Sequence, residues 1–313
     1  MLKKLSSDKT HNRWDKDLPP VLHVDPGDLV EIETKEGSDG DVRPDSGAKD
    51  VAKSDPNKVH PLSGPIYING AKKGDTLVVR VVNVEPGSWG WTGIIPGSGY
   101  LKDEFRDPHL VIWKVNRKSK YAYSDAIPGV RIPLSPFCGV MGVALPDSGS
   151  FVTIPPRDSG GNMDIKYLTA GATLYLPVFV DGALFSVGDA HAAMGGGEVC
   201  LTGIESPAKV TLRFDLKKNC SIQSPRFETR EYYGSIGYGK TLDEAMRKAL
   251  MQMIDFLVEQ KGLERNNAYV LCSVAADFRV CEVVDEPHLL ISGLLPKRIF
   301  AKKQKATKSI SAI

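Results

Sequence analysis

Short apolar runs separated by turn residues occupy most of the chain. Val21 to Val30 and Thr76 to Val84 are rich in β-branched residues and are punctuated by Pro26-Gly27-Asp28 and Gly74-Asp75, so both read as strands bounded by tight turns. Pro65 to Asn69, Leu110 to Val115 and Gly139 to Leu145 read the same way. Lys209 to Leu216 alternates apolar and polar positions, the period of a half-exposed strand. Leu174 to Val187 reads as two buried strands about Asp181-Gly182, a dipeptide favoured in hairpin turns. Between Gly87 and Asp164 the many glycines and prolines predict a sandwich or barrel with long loops.

Two stretches depart from this rhythm. Glu36 to Ser63 is dense in Gly, Asp, Lys, Pro and Ser, too polar to build core, and predicts a long surface loop or lid. Thr241 to Gln260 carries Leu242, Ala245, Met246, Leu250, Met253, Ile254 and Leu257 at the spacing of an amphipathic helix, with Thr241 as its cap and Gly262 as its stop. Asn266 to Val280 predicts a second helix, and Val283 to Leu294 a strand or turn. The expected fold is therefore mainly β with an α/β C-terminal part. A sandwich- or barrel-like body spans residues 1–218, and residues 219–301 pack on it as one structural unit with one or two late helices. A basic, polar tail at residues 302–313 is expected to be disordered.

Composition narrows the function classes. A chain of 313 residues can bury a large core. A formal net charge of +2 gives no electrostatic footprint for nucleic acid. The N-terminus has no apolar signal region, and no apolar run approaches the roughly 18 residues of a membrane span, so a cytoplasmic protein without a membrane partner is expected. The five cysteines are scattered and form no C-x-x-C pair, which suits reduced thiols.

The densest chemistry lies in Ser186 to Glu205, SVGDAHAAMGGGEVCLTGIE. Asp189 and His191, two apart on an extended segment, point to one face, and a reversal at Gly195-Gly196-Gly197 can return Glu198 beside them. Carboxylate and imidazole together suit a divalent cation, zinc first, or calcium if oxygens dominate. The same groups can activate water. The plainer reading makes Asp189 a turn cap, His191 a half-buried histidine and Glu198 a solvent-facing residue. Asn162 and Asp164 beside Gly160-Gly161 are turn residues, polar groups aimed at an amide, or further metal ligands. Cys138, between Phe137 and Gly139, is either a small buried hydrophobe or a metal-free nucleophile.

The Ser186–Glu205 segment resembles the GDxHAAQGDGE signature of the acetamidase/formamidase family. Further matching stretches follow in the same order along the chain: HPLSGPIYINGAKKGD from His60, GWTGIIPGSGYL from Gly90, IPLSPFCGVMGVALP from Ile132, TIPPRDSGGNMDI from Thr153 and SVAADFRVCEVVD from Ser273. The likeness spans most of residues 10 to 300. It implies hydrolysis of short aliphatic carboxamides such as formamide and acetamide by a metal-activated water. On that basis Asp189, His191 and His60 are the expected metal ligands, and Glu198 is the general base acting with Asp189 and His191 or completes the coordination shell. Asn162, Asp164, Met194 and Gly195 are the expected substrate contacts, with Phe185, Val187 and Met194 limiting the acyl group. Two positions depart from the family pattern, Met194 in place of glutamine and Gly196 in place of aspartate. They leave open a different amide or a cyclic imide on the same scaffold, or a non-catalytic homologue that binds a metal or small molecule. A homodimer or higher homo-oligomer is the expected assembly.

Overall fold

The computed structural model describes residues 1–300 and is built mainly of strands. A nine-stranded sheet runs from edge to edge through Leu2–Leu5, Leu29–Thr34, Ala208–Lys217, Thr76–Pro86, Thr173–Pro177, Arg226–Glu228, Tyr232–Gly239, Leu289–Pro296 and Asp277–Glu282. A six-stranded sheet has Phe137–Gly142, Phe185–His191 and Leu62–Ile68 at its centre. Trp89–Ile94, His109–Asn116, Tyr121–Tyr123 and Ile132–Pro133 form a smaller four-stranded sheet.

The first two sheets share the main core. Ile32, Val79, Leu174 and Leu212 of the nine-stranded sheet belong to the same buried cluster as Ile66, Met141 and Val187 of the six-stranded one. Phe185 meets Phe214 edge to face, with ring centroids 5.1 Å apart, across the two layers. This is an open sandwich, not a closed barrel. Ala208–Lys217 shows the period-two burial that its sequence predicts. Phe185–His191, by contrast, is buried at every position, because it lies at the centre of its sheet and both faces are covered.

The helix Leu242–Lys261 fits the predicted stripe, with Ala245, Ala249, Met253, Ile254 and Leu257 buried. Thr241 Oγ1 accepts from the Glu244 N–H at its start, and Gly262 takes the left-handed φ of 68° that ends it. The second helix is shorter than expected, Arg265–Ala275. From Asp277 the burial switches to alternation, with Asp277 and Arg279 exposed and Phe278 and Val280 half-buried, and the chain becomes an edge strand. Residues 283–288 turn, and the next strand begins only at Leu289.

Two further expectations are corrected. The strands around Asp181-Gly182 do not form a hairpin, since Thr173–Pro177 belongs to the nine-stranded sheet and Phe185–His191 to the six-stranded one. Positive φ at Gly182, Ala183 and Leu184 makes a wider crossing between layers than a two-residue turn. The polar stretch from Glu36 is not wholly surface. It contains the short helix Ala48–Val51, and Val42 and Val51 pack with Trp91 in a small core of their own. The expected tail at residues 302–313 lies outside the described residues. Among those described, no helix is long and apolar enough to cross a membrane.

Packing of the long helix onto its sheet leaves no room at Gly237, where an added Cβ would overlap the backbone of Ala245 and Ala249. Gly237→Ala is expected to destabilise the fold by about 1–3 kcal/mol through overpacking. A lower urea midpoint with an unchanged m-value would register this.

Candidate active site

One end of the six-stranded sheet opens into a cavity of about 1000 Å³. Its floor is a group of buried acids around a single imidazole. Pairing brings them together from distant parts of the chain. His191 ends the strand Phe185–His191, whose neighbour Phe137 lies opposite it in register and touches its ring edge to face. Ala190 to Ala193 then pairs with Ile204 to Ser206, which sets Glu205 against His191. The glycine turn is held by backbone bonds between Gly197 and both Cys281 and Val283, and these seat Glu198 near Glu282 and Asp285. Asp164 arrives through its N–H on the Gly139 carbonyl.

The distances are short. His191 Nε2 lies 3.0 Å from Glu205 Oε1, 3.6 Å from Asp189 Oδ2 and 3.7 Å from Glu198 Oε1, while Nδ1 lies 3.6 Å from Asp164 Oδ1. His60 Nε2 stands 4.0 Å from Asp189 Oδ1. Asp164, Asp189 and Glu198 have φ of 46°, 54° and 47°, the left-handed region that costs a non-glycine residue of the order of 1–2 kcal/mol. Such backbone persists where the surroundings hold it, and here it aims three carboxylates inward. Glycines make the approach feasible. A Cβ on Gly139 would overlap carboxylate oxygens of Asp164 and Asp189, one on Gly203 would crowd the His191 ring, and one on Gly37 would stand 3.0 Å from Glu205 Oε2.

Crowding sets the electrostatics. Burial, then the neighbouring Asp164, pushes the Glu198 carboxyl well above the usual range. Burial raises Glu205 to about 8 and Asp164 to about 6, in both cases against the pull of His191. Burial also opposes ionisation of Asp189, but His60 and His191 outweigh it and hold that carboxyl below its ordinary value. His191 in turn resists burial through Glu205 and Asp189, which keep its proton well above the usual imidazole range. Behind this group Asp285 accepts from Asn162 Nδ2 at 2.8 Å, and burial lifts its carboxyl well above normal. Both Asp164 oxygens, Glu205 Oε2 and the Nδ1 atoms of His60 and His191 are buried without a hydrogen-bond partner. Buried polar atoms left unpaired in this number call for another ligand.

The structure thus brings together Asp189, His191, Glu198, His60, Asn162 and Asp164, all of which line the cavity. Met194 and Gly195 are not among its lining residues, and Phe185 and Val187 are enclosed in the sandwich core. Gly196 also lies outside the lining, exposed on the loop, so both departures from the family pattern sit away from the cavity. Sequence reasoning missed Glu205, although it closes the very segment that drew attention. It also missed Glu282 and Asp285 within the CEVVD run, where two acids flanking a pair of valines were the available signal. Cys138 is buried, and its thiol is pushed up to about 12 by burial and then by Asp189, so a thiolate is disfavoured there.

A β-sandwich with buried carboxylates and imidazole at the floor of an open cavity defines a protein equipped for hydrolytic chemistry. The acetamidase/formamidase family model matches residues 2–149 and 147–302, and the chain belongs to that family. It is 29% identical to a formamidase from Methylophilus methylotrophus over 93% of this chain and 89% of that protein. It is 32% identical to an acetamidase from Mycolicibacterium smegmatis over 66% of each. A crystal structure of an acetamidase from Bacillus halodurans superposes with a TM-score of 0.88 at 32% identity, covering 95% of this chain and 98% of that one. At the level of the family, the chain is an amidohydrolase.

Two outcomes follow from this geometry. Gly139→Ala is expected to part Asp164 from Asp189 and lower amidase activity about 100-fold or more, since a displacement near 1 Å is worth that much, with the far-UV circular dichroism unchanged. Cys138 is expected to stay unmodified by N-ethylmaleimide in the native protein at pH 8, as read by peptide mass, and Cys138→Ala to keep amide hydrolysis.

Proposed function

We propose that this chain hydrolyses linear primary carboxamides to carboxylate and ammonia, using the acids around His191 and a bound divalent cation. The observation that carries the reading is the cluster of partnerless carboxylate oxygens around one imidazole at the floor of the cavity. The donor set suits such an ion. Asp189, His191 and Glu205 can each turn a ligand atom to within 4.8 Å of the others, as can Asp164, His191 and Glu198. Ligands at about 2.1 Å around a tetrahedral zinc stand roughly 3.4 Å apart, between the 3.0 Å from His191 Nε2 to Glu205 and the 3.6 Å to Asp189. A second argument is charge. Four buried carboxylates facing two imidazoles repel one another, and a cation relieves that repulsion.

His191 with Asp189 and Glu205 are the ligands of first choice, and His60 is the further imidazole nearest Asp189. Zinc is preferred because imidazole joins the oxygens, with calcium as the oxygen-favouring alternative. When bound, the cation supplies Lewis acidity and lowers the pKa of water toward neutrality.

The residues of the chain do the rest. Glu198, 3.7 Å from His191 Nε2, accepts a proton from the attacking water and passes it to the departing nitrogen. Asn162, with its Nδ2 committed to Asp285, turns a partnerless Oδ1 that can accept from the substrate NH₂. Asp285, held by Asn162, positions that amide. The new C–O bond forms first, the nitrogen then takes the proton, and the C–N bond breaks to release ammonia.

Glu198→Gln is expected to cut ammonia release from acetamide by about 100- to 10,000-fold while leaving the urea midpoint nearly unchanged. Asp189→Asn is expected to lower the metal content of the purified protein, measured by elemental analysis. Chelation should abolish ammonia release and zinc should restore it; full activity after rigorous chelation would remove the metal from this reading.

A further inference from the structure

The cavity is much larger than the substrates that the family name suggests. Its volume of about 1000 Å³ corresponds to roughly thirty water molecules at liquid density, whereas acetamide has four non-hydrogen atoms. Exposure of the lining marks its depth. The acids around His191 form the buried floor, and the exposed side chains of Lys102, Lys240 and Glu286 stand at the rim, where Lys102 and Glu286 pair at 2.9 Å. Between them the half-buried wall combines four aliphatic side chains with Ser54, Asp55, Ser98 and Thr202. Ile95, Ile154, Leu201 and Leu289 are half-buried there, contributed by four separate parts of the chain.

A wall of this kind serves no purpose for formamide, which is finished at the floor. Left wet, it is apolar surface that gains from being covered. The floor takes a carboxamide and the aliphatic face of the wall takes hydrocarbon; Asp55 is the one carboxylate in the half-buried wall, and the other charges stand at the rim or the floor.

Resting on the amidase reading above, we propose that the preferred substrate is a primary carboxamide whose acyl group carries an apolar tail of roughly four to eight carbons, straight, branched or aromatic. The reaction is unchanged. Water supplies the hydroxyl that replaces the NH₂ group, the proton goes to the nitrogen, and the tail stays on the carboxylate product. The tail lies along Ile95, Ile154, Leu201 and Leu289 and displaces water from them. A tail ending in a carboxylate would have to leave its charge in the apolar band or stretch to the rim, so it is a poor substitute.

The test is a series of initial rates with the zinc-loaded full chain on formamide, acetamide, butyramide, hexanamide, phenylacetamide and the mono-amide of adipic acid. The kcat/KM is expected to climb from acetamide to hexanamide by about fourfold per methylene where burial is complete. Phenylacetamide should share the gain and the charged mono-amide should lose it. Ile154→Ala and Leu289→Ala should each lower the ratio of kcat/KM for hexanamide over acetamide about fivefold. Ile154→Asn, which puts a polar amide into the wall, should lower it further. A kcat/KM that falls steadily from formamide upward would overturn the proposal and leave amide hydrolysis standing. A hexanamide advantage that survives all three wall substitutions would overturn it too, because the tail would then lie elsewhere. Silence on every amide from metal-loaded, folded protein would remove the amidase reading and this proposal together.

Discussion

Four carboxylates and two imidazoles share a small, water-poor volume at the mouth of the six-stranded sheet, and much of the structure serves to hold them there. Like charges at such separations repel strongly when water is excluded, so the cluster does not assemble on its own account. The surrounding framework imposes it. Asp189 and His191 sit on a strand buried at every residue, in a layer that shares its core with a nine-stranded sheet. Slippage by one residue would turn both side chains to the other face, and burial on both sides of the strand forbids it.

The loops around the sheet answer the same constraint. Glu36 is a buried carboxylate, but it accepts from the N–H groups of Ser38 and Gly40, the Ser38 hydroxyl and the Trp91 indole. A fully hydrogen-bonded charge of that kind stiffens the segment that leads to Gly37, whose bare backbone stands against Asp189 and Glu205. Glu36 is thus satisfied by protein alone, whereas Asp164 and Glu205 are not. That contrast between two kinds of buried acid separates scaffold from site.

Likeness to acetamidases and formamidases accounts for the reacting floor of the cavity and says less about the space above it. The apolar band is built from segments far apart in sequence, and its width depends on how the loops after residues 95, 154 and 283 settle around one another. Preference among acyl groups is a matter of a few methylenes, each worth only a modest factor, so it can change within a family whose catalytic groups stay the same.

Much of the fold was legible locally. Period-two alternation marked Lys209 to Leu216, the 3.6-residue stripe marked the long helix, and Thr241 and Gly262 marked its ends, because burial of one face writes its period into the side chains. The site was legible in part. Asp189, His191 and Glu198 stand within ten residues, and resemblance to a family drew His60, Asn162 and Asp164 to the same place. Which acids complete the cluster was decided only in three dimensions. Glu205 reaches His191 through the pairing of Ile204 to Ser206 with Ala190 to Ala193, and Asp285 reaches Asn162 across 123 residues of chain. The same holds for the crossing at Asp181-Gly182, where a hairpin dipeptide joins two different sheets. Local sequence specifies the conformations open to a segment and the face it must bury. The partner against which it buries that face, and hence the charges that end up sharing one volume, is chosen by long-range packing that no short window of residues contains.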